Sequence, residues 1–213
     1  MRKTERYKKI IEWFRLNMLN PQTELFFATP FQLLTAVILS AQCTDKRVNI
    51  VTQKLFETYA DPFKMADASQ PEIFQLIKSI SYPNNKSKHL YEMSRMLVSR
   101  YSGEVPSEVE ELIKLPGVGR KTANVVASII YDRPVIAVDT HVFRVSRRVG
   151  LSNGKNVMQV EQDLTNYIEE SLRAKAHHWL ILHGRYVCTA RKPKCVSCGI
   201  REWCKSANRY LTT

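Results

Sequence analysis

At 213 residues the chain has room for one large or two small domains with a buried core, and 44% hydrophobic against 24% charged residues is an ordinary globular balance rather than a disordered or fibrous one. No apolar run approaches the ~20 residues of a membrane span. The formal charge of +12 favours a polyanionic partner, through release of counterions from phosphates. The excess is lopsided: from Leu115 onward there are 16 Lys and Arg against 7 Asp and Glu, a net of +9, and before it 16 against 13, a net of +3.

The pattern is helical almost throughout, with no internal repeat, low-complexity tract or Gly/Ser linker. The opening MRKTERYKKIIEWF is charged and amphipathic and lacks a signal-type apolar core, so an intracellular, cytoplasmic protein is expected, nucleoid-associated if bacterial. FQLLTAVIL from Phe31 is about the longest apolar run, interrupted by Gln32 and Thr35. Cys43, beside apolar sequence, is read as a buried thiol. Leu90, Met93 and Leu97 share one helical face, as do Val157, Val160, Leu164 and Ile168. Ser107 with Glu110 has the spacing of a capping box, opening a short helix that must stop before Pro116. PVIAV, residues 134–138, is the one stretch with the look of a short strand, too little for a sheet, so the fold class is all-α.

Between two of these helical patterns lies LPGVGRKTANVV, Leu115 to Val126. A P-loop needs four residues between its glycines, whereas Gly117 and Gly119 flank one and Arg120 precedes Lys121 and Thr122. A dinucleotide fingerprint needs a third glycine where Thr122 sits and a preceding strand, yet EVEELIKL before it is helical. What remains is helix, Gly-x-Gly turn, helix, with Val118 pinned into the core. The second helix would offer unpaired N–H groups and its positive dipole end to a phosphate; an ordinary glycine-capped αα-turn has the same signature.

Further on, Asp139 precedes the apparent helix HVFRVSRRV, where an N-cap is the simplest role. Near the end, Cys188, Cys195, Cys198 and Cys204 read C-x6-C-x2-C-x5-C. Only Cys195 and Cys198 form a tight pair of the kind structural zinc prefers, and four thiolates in one compact loop also suit a [4Fe–4S] cluster; spacing alone leaves both open. His141, His177, His178 and His183 have no metal-like partner cluster. Arg191, Lys192 and Lys194 crowd the loop inside TARKPK, restricted by Pro193 and the flanking cysteines, and suit the phosphates of a polyanionic partner.

Together these segments resemble the endonuclease III family of DNA glycosylases. LPGVGRKTA is similar to that family's helix-hairpin-helix, VDTHVFRV (Val138 to Val145) to its catalytic-aspartate segment, and the cysteine tail to its iron–sulfur loop. LSAQCTD (Leu39 to Asp45) resembles its N-terminal helical motif. The resemblance implies two helical domains flanking a DNA-binding cleft: a six-helix domain with the hairpin at 21–133, and 1–20 with 134–213 as the cluster domain. It implies a bifunctional glycosylase and AP lyase acting, as a monomer, on double-stranded DNA that carries oxidised or otherwise damaged pyrimidines or abasic sites. Lys121 would attack C1′ of a flipped nucleotide, expel the base, form a Schiff base and nick by β-elimination.

The residues agree with that chemistry. Lys121 falls in the first turn of the second hairpin helix, whose dipole disfavours an ammonium, while an ionised Asp139 nearby would favour it. An N-capping carboxylate can stabilise an oxocarbenium-like sugar or relay the proton from Lys121. Gln42 corresponds to the family residue that fills the gap left by the flipped base, and Asp45 is read as a helix cap, a lesion contact or both. Gly117, Gly119 and Arg120 are read as hairpin contacts to DNA.

One segment departs from the family. Ser81-Tyr82-Pro83-Asn84-Asn85-Lys86 stands where a Gly-Leu-Tyr-like turn usually supplies an apolar wedge, which places Tyr82 at the wedge position. Adenine glycosylases of the superfamily lack the nucleophilic lysine and usually carry a further C-terminal domain, whereas this chain has Lys121 and ends nine residues after Cys204. An iron–sulfur electron carrier needs neither Lys121, Asp139 nor the charge, and a pure DNA-binding module needs the charge alone.

Overall fold

The computed structural model describes residues 1–210. Among them every regular element is helical and no strand forms, and no helix is long and apolar enough to cross a membrane. The chain divides into two units, Glu24–Tyr131 and one made of Met1–Thr23 with the chain from Asp132 onward.

In the first unit the apolar run becomes α2 (Pro30–Ser40), opened by Pro30 behind the Thr29 N-cap, whose hydroxyl accepts from Gln32 N–H. Being apolar on nearly every side, it is buried on nearly every side, from Phe31 through Leu39. Helices α3 (Asp45–Thr58), α6 (Pro83–Tyr101) and α8 (Arg120–Tyr131) pack against it. The shorter α4 (Pro62–Ala66) and α5 (Gln70–Ile77) pack on α6, and α7 (Val109–Leu112) packs on α8. The predicted stripe of α6 is in place, with Leu90, Met93 and Leu97 fully buried.

The capping box predicted from Ser107 and Glu110 does not form. The N-cap is Glu108, without a side-chain cap bond, and the Ser107 hydroxyl bonds Glu108 Oε1 instead. The helix is a single turn, as the nearby Pro116 requires.

The second unit is assembled from both chain ends. Helix α1 (Lys3–Asn17) buries Ile10 and Phe14 fully, each worth about 1.5–3 kcal/mol. Phe14 stacks on Trp179, whose indole N–H reaches the Met18 carbonyl at 2.7 Å. With α1 stand α9 (Thr140–Val149), α10 (Val157–Tyr167) and α11 (Arg173–Tyr186), the last packed on both α1 and α9. On α10, Val160 and Leu164 are buried, as is Ile168 at its cap, but Val157 is 47% exposed because it opens the helix, a turn short of the packed stripe. PVIAV forms no strand: Ile136, Ala137 and Val138 are buried, and the Ala137 carbonyl accepts from His177 Nδ1 at 2.8 Å.

Candidate active site and metal centre

The hairpin turn is fixed by its own backbone. Leu115 and Val118 are buried, Val118 N–H donates to the Leu115 carbonyl at 3.1 Å, and Ala123 N–H donates to the Gly119 carbonyl at 3.0 Å to begin α8. The two glycines differ in kind. Gly117 has φ +79°, and a Cβ there would lie 2.8 Å from His89 Cβ. Gly119 needs no such conformation, and an added Cβ would meet nothing within 4 Å. The backbone at the start of α8 is therefore open for a ligand to approach. Arg120 and Lys121 follow directly, both exposed in the first turn of α8.

A second group lies in the same unit. Gln42 just beyond α2 and Tyr82 just before α6 are both exposed, and both are left-handed, with φ 54° and 57°. Non-glycine residues held there cost about 1–3 kcal/mol each, so the surroundings must hold them. The Ser81 hydroxyl donates to the Gln42 carbonyl at 2.8 Å, which brings the two loops together. Beneath them Lys86, only 5% exposed, donates from Nζ to the carbonyls of Leu39 at 2.8 Å and Ala41 at 2.6 Å. Asp45 is not the cap of α3: Thr44 is, accepting from Arg47 N–H, and Asp45 is the first helical residue. Cys43 is half-buried rather than buried, because it lies in this loop and not within α2.

In the other unit Asp139 is the N-cap of α9, Oδ1 accepting from Val142 N–H at 2.8 Å. The same helix fastens the cysteine loop. Arg144 donates to the carbonyls of Cys188 and Gly184, and Arg148 to those of Thr189 and Ala190, both at 2.7 Å. Trp13 of α1 lies against Gly199 so closely that a Cβ there would have no room. Sequence reasoning missed Lys86, Ser81, Trp13 and this arginine pair. The i,i+4 spacing of Arg144 and Arg148 was visible; their target, some 40 residues away, was not.

Between Tyr186 and Arg201 no regular element forms. Cys188, Cys195, Cys198 and Cys204 are all free and half-buried, and three of them pack on the apolar core. Burial raises the thiols of Cys195, Cys198 and Cys204, Cys198 up to about 11, and the neighbouring cysteines push in the same direction. Four thiolates gathered this closely require positive charge among them. Among the described residues no three Cys, His, Asp or Glu side chains converge as a single ion would demand. An all-cysteine donor set is the ligand type of an iron–sulfur cluster. Arg191, Lys192 and Lys194 are exposed on the loop, with Thr189 Oγ1 bonded to the Lys192 carbonyl and Lys194 N–H to that of Val187.

Residues 35–170 match the HhH-GPD superfamily of base excision DNA repair proteins, and residues 188–204 match the iron–sulfur binding domain of endonuclease III. The chain is similar to Endonuclease III of Rickettsia felis, 49% identical over 94% of each chain. To Endonuclease III of Escherichia coli K12 it is 45% identical over 96% of this chain and 97% of the other. A trapped covalent endonuclease III–DNA intermediate superposes with a TM-score of 0.92 at 41% identity, over 98% of this chain and 99% of that one. A non-covalent endonuclease III–DNA complex gives 0.94 at 40% identity, over 100% of both.

Proposed function

The chain belongs to the endonuclease III family of base excision repair enzymes, DNA glycosylases with AP lyase activity that carry a [4Fe–4S] cluster, and on that premise we propose which of its residues do the work. Lys121 is the nucleophile. Its Nζ attacks C1′ of a nucleotide flipped out of the stack, the bond from C1′ to the base breaks, and the base departs with a proton. The sugar opens to a C1′ imine on Lys121, loss of a C2′ proton expels the 3′ phosphate, and water frees the protein. Asp139, held by its cap bond to Val142, stabilises the cationic sugar and shuttles the proton.

The observation that carries this reading is the open backbone at Gly119 with Lys121 exposed two residues on. A phosphate received at the start of α8 sets the strand's sugar within reach of that amine. Gln42 fills the vacated stack, Tyr82 wedges the duplex open, and Asp45 faces the lesion. Cys188, Cys195, Cys198 and Cys204 would hold the cluster, whose iron–thiolate bonds would fix the loop that carries them. Arg191, Lys192 and Lys194 then meet the DNA backbone. The substrate is duplex DNA with damaged pyrimidines or abasic sites, met by a monomer in the cytoplasm, on the nucleoid in a bacterium.

Borohydride reduction tests the assignment. Wild-type protein should be trapped covalently on abasic duplex. Lys121→Gln should abolish trapping and nicking while keeping most of the affinity, since one charge among many phosphate contacts costs little. Asp139→Asn should slow base excision far more than nicking at a ready-made abasic site, where no base has to leave. A Lys121→Gln protein that still crosslinks would mean that another amine reacts.

A further inference from the structure

Gln42 and Tyr82 sit on exposed left-handed backbone, outside the bonding of α2 and ahead of that of α6. Apolar burial does not hold them, for Tyr82 is 61% exposed. What holds them is polar and converges on one side chain. Lys86 has its ammonium between the carbonyls of Leu39 and Ala41, in the last turn and at the cap of α2, where the helix dipole is negative. Its own N–H donates to the Tyr82 carbonyl at 3.1 Å, the first backbone bond of α6. The Ser81 hydroxyl completes the ring by donating to Gln42. Both reading loops therefore start from atoms that Lys86 grips. Burial pulls the Lys86 ammonium down from the usual lysine range, an effect that the nearby Cys43 opposes. A solvent-facing lysine would have been free to leave; this one is enclosed and keeps its two carbonyl acceptors.

We infer that Lys86 is a positioning residue for duplex opening: by tying the end of α2 to the start of α6 it presents Gln42 and Tyr82 to DNA as one rigid element. The inference rests on the roles given above to Gln42 and Tyr82. A lysine that merely caps α2 would affect stability and nothing specific to duplex. A positioning lysine acts only where a nucleotide must be held out of a duplex, and so is dispensable on single-stranded abasic DNA, which has no stack to open.

The experiment compares kcat and KM of the holoprotein on double- and single-stranded abasic DNA. Lys86→Met, which removes the charge at similar length, should lower kcat on duplex by up to about 100-fold, the scale of an ångström's misplacement, with KM and single-stranded turnover little changed. Lys86→Arg, which keeps the charge and donors, should restore much of the loss. In a Gln42→Ala/Tyr82→Ala background Lys86→Met should not lower the duplex-to-single-strand ratio further, because coupled residues are non-additive. Equal losses on both substrates, or a full further loss in that background, would overturn the inference. If Gln42→Ala and Tyr82→Ala themselves leave the ratio unchanged, their assigned roles fail and the inference falls with them. If they lower it and Lys86→Met does not, the inference alone fails. Should Lys86→Met not fold, Ser81→Ala cuts the other tie and must lower the same ratio.

Discussion

The hairpin turn and the cysteine loop are both irregular and both bear basic side chains, yet they are held in opposite ways. Residues 115–121 get their shape from two buried apolar side chains, two backbone bonds and one glycine that nothing else can replace. Residues 188–204 have no regular structure before a 3-10 turn at Arg201–Trp203, and are gripped from outside by Arg144, Arg148 and Trp13 around four thiols that repel one another as anions. On the roles proposed above, a turn that aims a nucleophile must have its geometry before substrate arrives, while a loop that only rests on phosphates tolerates a geometry supplied by a cofactor.

The sharpest way to break that contrast is to remove a thiol. Structural metal sites contribute on the order of 10 kcal/mol to the fold that they close. Cys195→Ala should therefore disorder the cysteine loop, while circular dichroism still reports the helices of Glu24–Tyr131. Three fixed cations, Arg191, Lys192 and Lys194, would leave the interface, and the slope of log affinity against log salt should flatten by about 2–3. An unchanged slope would mean that the loop does not touch DNA. The wild-type protein should hold iron and sulfide in equal amounts, about four of each, and stoichiometric zinc without sulfide in anaerobically prepared protein would refute the cluster.

Damage to the hairpin should be smaller and purely mechanical. Gly117→Ala forces φ +79° on a residue with a Cβ and presses it into His89. The backbone share alone is about 1–2 kcal/mol, readable by urea unfolding. Adding His89→Ala should recover the clash but not the backbone share. Full recovery would mean that φ is not the constraint.

The contrast also explains what the sequence could reveal. Local signals were legible: the cysteine spacing, the Gly-x-Gly turn, the Leu90–Met93–Leu97 stripe and Asp139 as an N-cap all lie within a few residues of what they determine. Lys86 was not legible, because it sits in the polar run PNNKSK and its partners lie 45 and 47 residues away. Arg148 reaches 41 and 42 residues. The capping box at Ser107 failed for a related reason: a spacing that permits a cap does not compel one when Glu108 is there to take the position. Polar side chains that close tertiary gaps carry no periodicity, so they surface only once the chain is folded.

The smallest expected effect separates the two glycines of the hairpin. Gly119 lies outside the left-handed region, and an added Cβ meets nothing within 4 Å. Gly119→Ala therefore costs no clash, and by restricting the unfolded chain it should raise stability by about 0.4–1 kcal/mol. That prediction alone would hold for any open turn. What makes it diagnostic is DNA: the Cβ occupies the space into which a phosphate must come to reach the N–H groups at the start of α8. Affinity for duplex should fall even as the midpoint of urea unfolding rises, and borohydride trapping at saturating DNA should persist because Lys121 is untouched. Stability and binding moving in opposite directions from one methyl group would place the phosphate at Gly119. Binding that is unchanged, or that falls only in step with stability, would remove it from there and leave the hairpin as a structural turn.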